Sequence, residues 1–271
     1  MSILTTRSPA RSYGWRPSLP DHRDKSYHHL LAANPQQWGL KAIFPSSHKL
    51  LAPPVLDQLQ LGSCVENGVT GAAAYLTACE GQQVQLSRLQ LYYGARGGIP
   101  HDTGSTIRDA LKVFAAQGCG LESLWPYSDD PRVWKAMPPT RVYKEGAHRA
   151  GSDSGVQPIS GPTRRFQYGQ IRYESMKHAL NCGFPIVFGA TVYPSFEDTG
   201  NDGKVPMPNP QEDPLGGHCM AVYGYDDGRG AFWVQNSWGP GWGDAGRCWI
   251  PYGWWEDGYV MEQWVMMYVT K

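Results

Sequence analysis

The chain has 271 residues, 24 basic and 24 acidic side chains and no formal net charge, with a pI near 7.1. Such a balance gives no electrostatic reason for nucleic acid or an anionic membrane as partner. The 41% of hydrophobic residues can bury a sizeable core in one large domain or two lobes. The polar stretch from Met1 to Trp15 lacks the apolar core of a Sec signal peptide. Val260–Val269, broken by Glu262 and Gln263, is too short to span a bilayer. The expected location is the cytoplasm, or outside the cell by a route without a Sec signal. Cys64, Cys79, Cys119, Cys182, Cys219 and Cys248 show no metal-cluster spacing and are expected to be mostly reduced. No cofactor is expected.

Residues 1–42 form an N-terminal arm. Its segment Tyr13–Asp24 is rich in proline and charge and favours turns and extended pieces over helix. Trp15 and Leu19 are expected to anchor it on the body, and His28-His29 reads as a solvated pair in a loop. Phe44 to Pro54 leads, extended, into Asp57-Gln58-Leu59-Gln60-Leu61-Gly62-Ser63-Cys64. From Val65 to Glu80 the spacing of Val65, Val69, Ala72, Ala73 and Leu76 predicts a buried helix, with Ser63 as its cap. Further helices are expected over Leu86–Ala95 (Ser87 cap) and Thr106–Gln117 (ended by Gly118), with a turn at His101–Ser105. Residues 128–165 read as a linker with surface excursions, including turns at Gly151–Gly155 and Gly161-Pro162 and a solvated Arg164-Arg165. A strand-rich half follows: Phe166–Ile171, a short helix at Tyr173–Asn181, then strands at Ile186–Val192, His218–Tyr225, Ala231–Asn236, Cys248–Pro251 and Tyr259–Val269. Gly228-Arg229-Gly230 turns a hairpin, and Asn201–Pro214 is a loop. Helices first and strands second indicate an α+β fold.

Cys64 falls at the first turn of a buried helix, where the partial positive charge favours a thiolate; it also reads as a small buried hydrophobe. His218, opening a strand after Gly216-Gly217, is placed to serve as a base, or is a satisfied core histidine. Asn236, at the end of the partner strand, can orient that imidazole, or is a turn residue before Ser237. Trp238 can shield the His218–Asn236 contact from water. Gln58, together with the free N–H of Cys64, can supply two donors for a developing oxyanion; alone it reads as a surface glutamine.

Three strings carry a resemblance: Gln58 with Gly62-Ser63-Cys64; Gly216-Gly217-His218 with Ala221-Val222-Tyr223-Gly224-Tyr225; and Asn236-Ser237-Trp238-Gly239-Pro240-Gly241-Trp242-Gly243. Over roughly residues 44–271 the chain resembles the papain-like cysteine peptidases, and Leu121-Glu122 with Pro126-Tyr127 adds to the likeness. The resemblance implies Cys64 as nucleophile, His218 as base and acid, Asn236 as orienter and Gln58 as oxyanion donor. It also implies two lobes, a helical one over about 55–130 and a β-barrel-like one over about 165–271, with the cleft between them. Residues 43–271 would then be the catalytic domain. Leu61 and Val65 replace the first Cys and the Trp of the family's Cys-Gly-Ser-Cys-Trp, so the disulfide that usually staples this loop cannot form, which looks like a prokaryotic or viral branch. Leu59 stands where the family has glycine, although leucine resists a positive φ. His218 and Asn236 lie slightly farther beyond Cys64 than the roughly 130–150 residues usual in the family.

For substrate binding, the resemblance places Gly104-Ser105 where an extended peptide pairs with the backbone. Leu215, Gly216 and Met261 would line an apolar side-chain pocket, with Gly217 and Trp238 beside it; Met261 also reads as core. The implied activity is a cysteine endopeptidase acting on protein or peptide through an acyl-enzyme. A deamidase or transglutaminase-like acyl-transfer enzyme shares the triad. An inactive peptide-binding homologue would have no need of Cys64, His218, Asn236 and Gln58 together. The arm, too short for the family's helical prodomain, is expected either to pack over the cleft and restrict access or to strap the back of the molecule.

Overall fold

The computed structural model describes residues 11–33, 44–146 and 164–270. From residue 11 the arm runs without regular structure to a short helix, α1 (Tyr27–Ala32), whose first turn is capped by the Ser26 hydroxyl accepting from His29 N–H. His28 and His29 are thus exposed on a helix, not a loop: the cap outweighs the charged, proline-rich surroundings. Trp15 is buried, whereas Leu19 is 81% exposed. Its neighbour Ser18 faces inward, with N and Oγ on Glu262 at 2.6 and 2.9 Å, so the next side chain of an extended segment turns outward.

After β1 (Ser47–Lys49) the chain enters α2 (Cys64–Ala78), of which every residue but Ala78 is buried. Small residues all round suit a helix enclosed on every side. Gly68 lets α2 pack closely on β4: a Cβ on it would lie 3.3 Å from Cys219 Sγ. Next come α3 (Arg88–Ala95), with Ser87 capping Gln90 N–H, and α4 (Ile107–Gln117), with Thr106 capping Asp109 N–H and Gly118 ending it at φ +67°. Two short helices occupy the stretch expected to be surface excursions: α5 (Pro131–Trp134), begun by an Asp130 cap and a proline at the first position, and α6 (Thr140–Gly146). Trp134 of α5 is buried. The expected turns at Gly151–Gly155 and Gly161-Pro162 lie outside the described residues.

Arg164 and Arg165, expected in a loop, open β2 (Arg164–Gln170). Then follow α7 (Tyr173–Asn181), β3 (Ile186–Val192), α8 (Pro194–Glu197), β4 (Gly216–Asp226), β5 (Ala231–Gln235), β6 (Arg247–Pro251), α9 (Gly253–Glu256) and β7 (Val260–Thr270). The sheet is antiparallel with seven strands, in the order β2-β7-β3-β4-β5-β6, and β1 pairs with β4. It does not close into the expected barrel. Its two outer strands are covered instead: Gln170 of β2 bridges Ser26 of the arm, and Trp249 of β6 bridges Lys204 of the loop before β4. Covering an edge removes the drive to pair it further. Helix α2 packs across β4 and so carries the start of the helical half onto the strand that holds His218.

Candidate active site

Four of the sequence-derived residues converge where α2 begins against β4. Cys64 is the first residue of α2 and fully buried. Its thiol faces the backbone N–H of Cys219, the neighbour of His218 in β4. His218 Nε2 lies 2.7 Å from Asn236 Oδ1. The amide oxygen accepts, so in the neutral ring Nε2 carries the proton and Nδ1 keeps its lone pair. Nδ1 is buried with no hydrogen-bond partner among the described residues. Trp238 stacks on the imidazole at 4.7 Å between centroids and is 3% exposed, closing the ring off from water.

Gln58 is fully buried and its amide orientation is fixed from both ends. Ser237 Oγ donates to Oε1 at 2.7 Å, while Nε2 donates to Leu61 O at 3.0 Å and Ser12 O at 2.9 Å. The backbone at Gln58 is tied down as well, by its N–H on Ser237 O (2.8 Å) and by Tyr127 Oη donating to its carbonyl (2.7 Å). Leu59 does take the left-handed conformation, at φ +54°, at a cost of about 1–2 kcal/mol. Asp57 Oδ1 accepts its N–H at 2.9 Å, and Asp102 accepts Gly62 N–H at 3.1 Å. Leu61 is buried in a cluster with Leu89, Tyr92, Trp125, Trp134 and Val142. Packing against α3 and α5 therefore holds the loop where a disulfide is missing. Leu61→Ala is expected to cost about 2–5 kcal/mol of stability, read as a lower urea midpoint at unchanged slope; an unchanged midpoint would show that this cluster does not hold the loop.

A family model described as papain family cysteine protease matches residues 44–264. The chain belongs to this family. An uncharacterized peptidase C1-like protein of Acanthamoeba polyphaga mimivirus is 31% identical over 98% of this chain and 90% of its own length. The thiol protease aleurain of Arabidopsis thaliana is 27% identical over 72% of this chain, which spans about half (51%) of aleurain. Among solved structures, xylellain, a cysteine protease from Xylella fastidiosa, superposes with a TM-score of 0.78 at 29% identity, covering 97% of this chain and 100% of its own. A viral and a bacterial relative accord with the branch read from the missing staple, and none of the six cysteines is in a disulfide.

In this papain-family chain the arm lies along the site. Ser105 N donates to Gly14 O (2.8 Å), Arg16 N to Ser105 O (3.0 Å) and Trp15 N to Gly217 O (3.0 Å). Ser12 O occupies Gln58 Nε2. Tyr13 packs edge-on to His218, and its hydroxyl donates to Glu197 of α8. The fit at Gly14 leaves no room for a side chain: a Cβ there would lie 1.7 Å from Gly62 O. Trp15 lies against Gly189 and Gly217, where a Cβ on Gly189 would come within 1.9 Å of the indole. Gly104, Ser105, Gly216 and Gly217 thus all touch the arm. Met261, by contrast, is 57% exposed and Leu215 40% exposed, so Met261 is not core.

The electrostatics differ from the thiolate expected at a helix start. Burial pushes the Cys64 thiol up to about 12, against the pull of the Cys219 and Gly14 N–H groups. Burial lowers His218 to about 4; the Asn236 hydrogen bond opposes this and Arg11 of the arm adds to it. With the arm in place desolvation wins over the helix field, and the pair rests as thiol and neutral imidazole. Sequence reasoning did not assign Ser237, Tyr127, Asp102 or Glu197. Ser237 and Tyr127 stood inside the quoted motifs, while Asp102 and Glu197 carried no local signal.

Proposed function

We propose that this chain is a cysteine endopeptidase whose cleft is sheltered by its own arm. The observation that carries the reading is the His218 Nε2–Asn236 Oδ1 contact of 2.7 Å beside a thiol that faces the next residue's amide. Once the arm leaves and water enters, the desolvation that keeps both groups neutral falls away. His218 Nδ1 then takes the Cys64 proton, and the sulfur attacks the scissile carbonyl carbon. The oxyanion accepts from Gln58 Nε2 and the Cys64 N–H. On collapse the C–N bond breaks, His218 returns the proton to the leaving amine, and water hydrolyses the thioester with His218 as base. Asn236 and Trp238 hold the ring through these steps.

Peptide recognition follows from the groups the arm uses. Ser105 N–H and C=O, Gly217 O and Gln58 Nε2 are the main-chain and oxyanion partners a substrate needs, so arm and substrate exclude one another. The slot on Gly189 and Gly217 that takes Trp15 favours a large apolar side chain in the substrate.

The test is mass spectrometry of an unfolded protein incubated with the enzyme. The expected result is internal chain scission, with one water added per bond cut. Conversion of glutamine to glutamate, or cross-linking, with the chain intact would instead assign the acyl-transfer activity and overturn the peptidase reading.

A further inference from the structure

Glu66 has no part in the chemistry above, yet it is fully buried two residues after the nucleophile. It stands three residues after the cap Ser63, where a glutamate ordinarily turns back onto the cap N–H. Here that N–H goes to Leu61 O (2.7 Å). The carboxyl instead accepts from the Ser105 hydroxyl, Oγ to Oε1 2.6 Å. Its other oxygen, Oε2, is buried with no hydrogen-bond partner among the described residues. Ser105 is the residue whose N–H and C=O both pair with the extended arm. One carboxyl therefore joins the peptide-pairing edge to the helical turn that carries Cys64.

The titratable and charged groups acting on or facing it come from every neighbouring element. Cys64 shares its helix; Tyr92 and Arg96 come from α3, Asp102 from the loop before α4, Tyr127 from the segment before α5, and Cys219 from β4. Arg96, the cation of this group, is already directed at the carbonyls of Ile99, His101 and Trp134. No ion pair thus fixes the charge of Glu66.

We propose, resting on the peptidase reading, that Glu66 is a positioning residue: its carboxyl holds Ser105 in the peptide-pairing edge, and its ionisation opposes formation of the Cys64 thiolate. Burial pushes Glu66 up to about 7, with the Ser105 hydrogen bond pulling the other way. Its charge raises Cys64, whereas the groups acting on His218 are Asn236 and Arg11. A negative charge nearer the sulfur than the imidazole penalises the thiolate–imidazolium pair. The neutral acid, below about 7, leaves formation of that pair unopposed; the anion, above it, works against it. Any measured inflection belongs to the coupled set.

The experiment is alkylation of Cys64 by iodoacetamide in the full chain, followed by mass spectrometry between about pH 5 and 9. The wild type is expected to show an inflection near 7. Glu66→Gln is expected to lose it and to alkylate about tenfold faster at about pH 8. Ser105→Ala is expected to move the inflection to higher pH, because the hydrogen bond that lowers Glu66 is gone. A merely structural role moves neither. Glu66→Met, equally without an ionisation, replaces the glutamine variant if that one unfolds. An inflection that persists in the Glu66 variants, or stays in place in Ser105→Ala, overturns the proposal. Alkylation that behaves as expected in a chain that cuts no peptide bond removes the peptidase reading and leaves this role of Glu66 standing.

Discussion

Cys64→Ala is expected to lower peptide-bond hydrolysis about a millionfold in kcat, as loss of the nucleophile does in a catalytic triad. The groups act as one unit. Without sulfur no acyl-enzyme forms, and His218 has no proton to take. His218→Ala should therefore cost about as much, and the double variant should be no worse than either single one. Asn236→Ala keeps nucleophile and base but frees the ring, so it should lose less, at most about 10⁴-fold. Substrate affinity should change little in Cys64→Ala, because Ser105, Gly217 and Gln58 keep their places. Steady-state kinetics with an internally quenched peptide checks the series. Losses that simply add across the double variant would mean that Cys64 and His218 do not work together.

Gly14→Val is expected to speed reaction at Cys64 by about five- to 150-fold. The valine Cβ has no room, since it would lie 1.7 Å from Gly62 O. Overpacking of this kind costs about 1–3 kcal/mol, and that difference falls on the docked form of the arm alone. An equilibrium between docked and released arm shifts by the corresponding factor. The effect also has an electrostatic part, because release rehydrates Cys64 and removes Arg11 from His218. Tyr13→Phe, which loses only the bond to Glu197, should act in the same direction by less, about fivefold, the value of one hydrogen bond near 1 kcal/mol. Unchanged rates in both variants would return the arm to a strap with no control over access.

Much of this site was legible in the sequence, and the reasons are local. A run of small residues marks α2, although Ser63 at its cap position caps no helix N–H and its hydroxyl pairs with Tyr127 instead; Gly118 stops α4, and Gly228-Arg229-Gly230 turns the β4–β5 hairpin. The Asn236-Ser237-Trp238 string pointed to the contact that Asn236 makes with His218 on the neighbouring strand. What escaped was decided by contacts distant in sequence. Leu61 looked like a loss of the staple, and only α5, hidden in a supposed linker, shows what it packs on. Asp130-Pro131 did carry a helix-start signal there. Leu59 was expected to resist a positive φ, yet Asp57, Ser237 and Tyr127 together hold it in one. The sheet stays open and its outer strands are bridged by the arm and the 200s loop, which no strand pattern reports. Glu66 stands at capping-box spacing, yet its partner is the distant Ser105.

The central claim is that Cys64, oriented with His218 and Asn236, is a nucleophile under the cover of the arm. A thiol-reactive peptidyl probe with a large apolar side chain, followed by mapping of the modified cysteine, tests it most directly. The account predicts that Cys64 alone of the six cysteines is modified, faster in Gly14→Val than in wild type, and not at all in Cys64→Ala. Probe attached equally to the Cys64→Ala protein would contradict it.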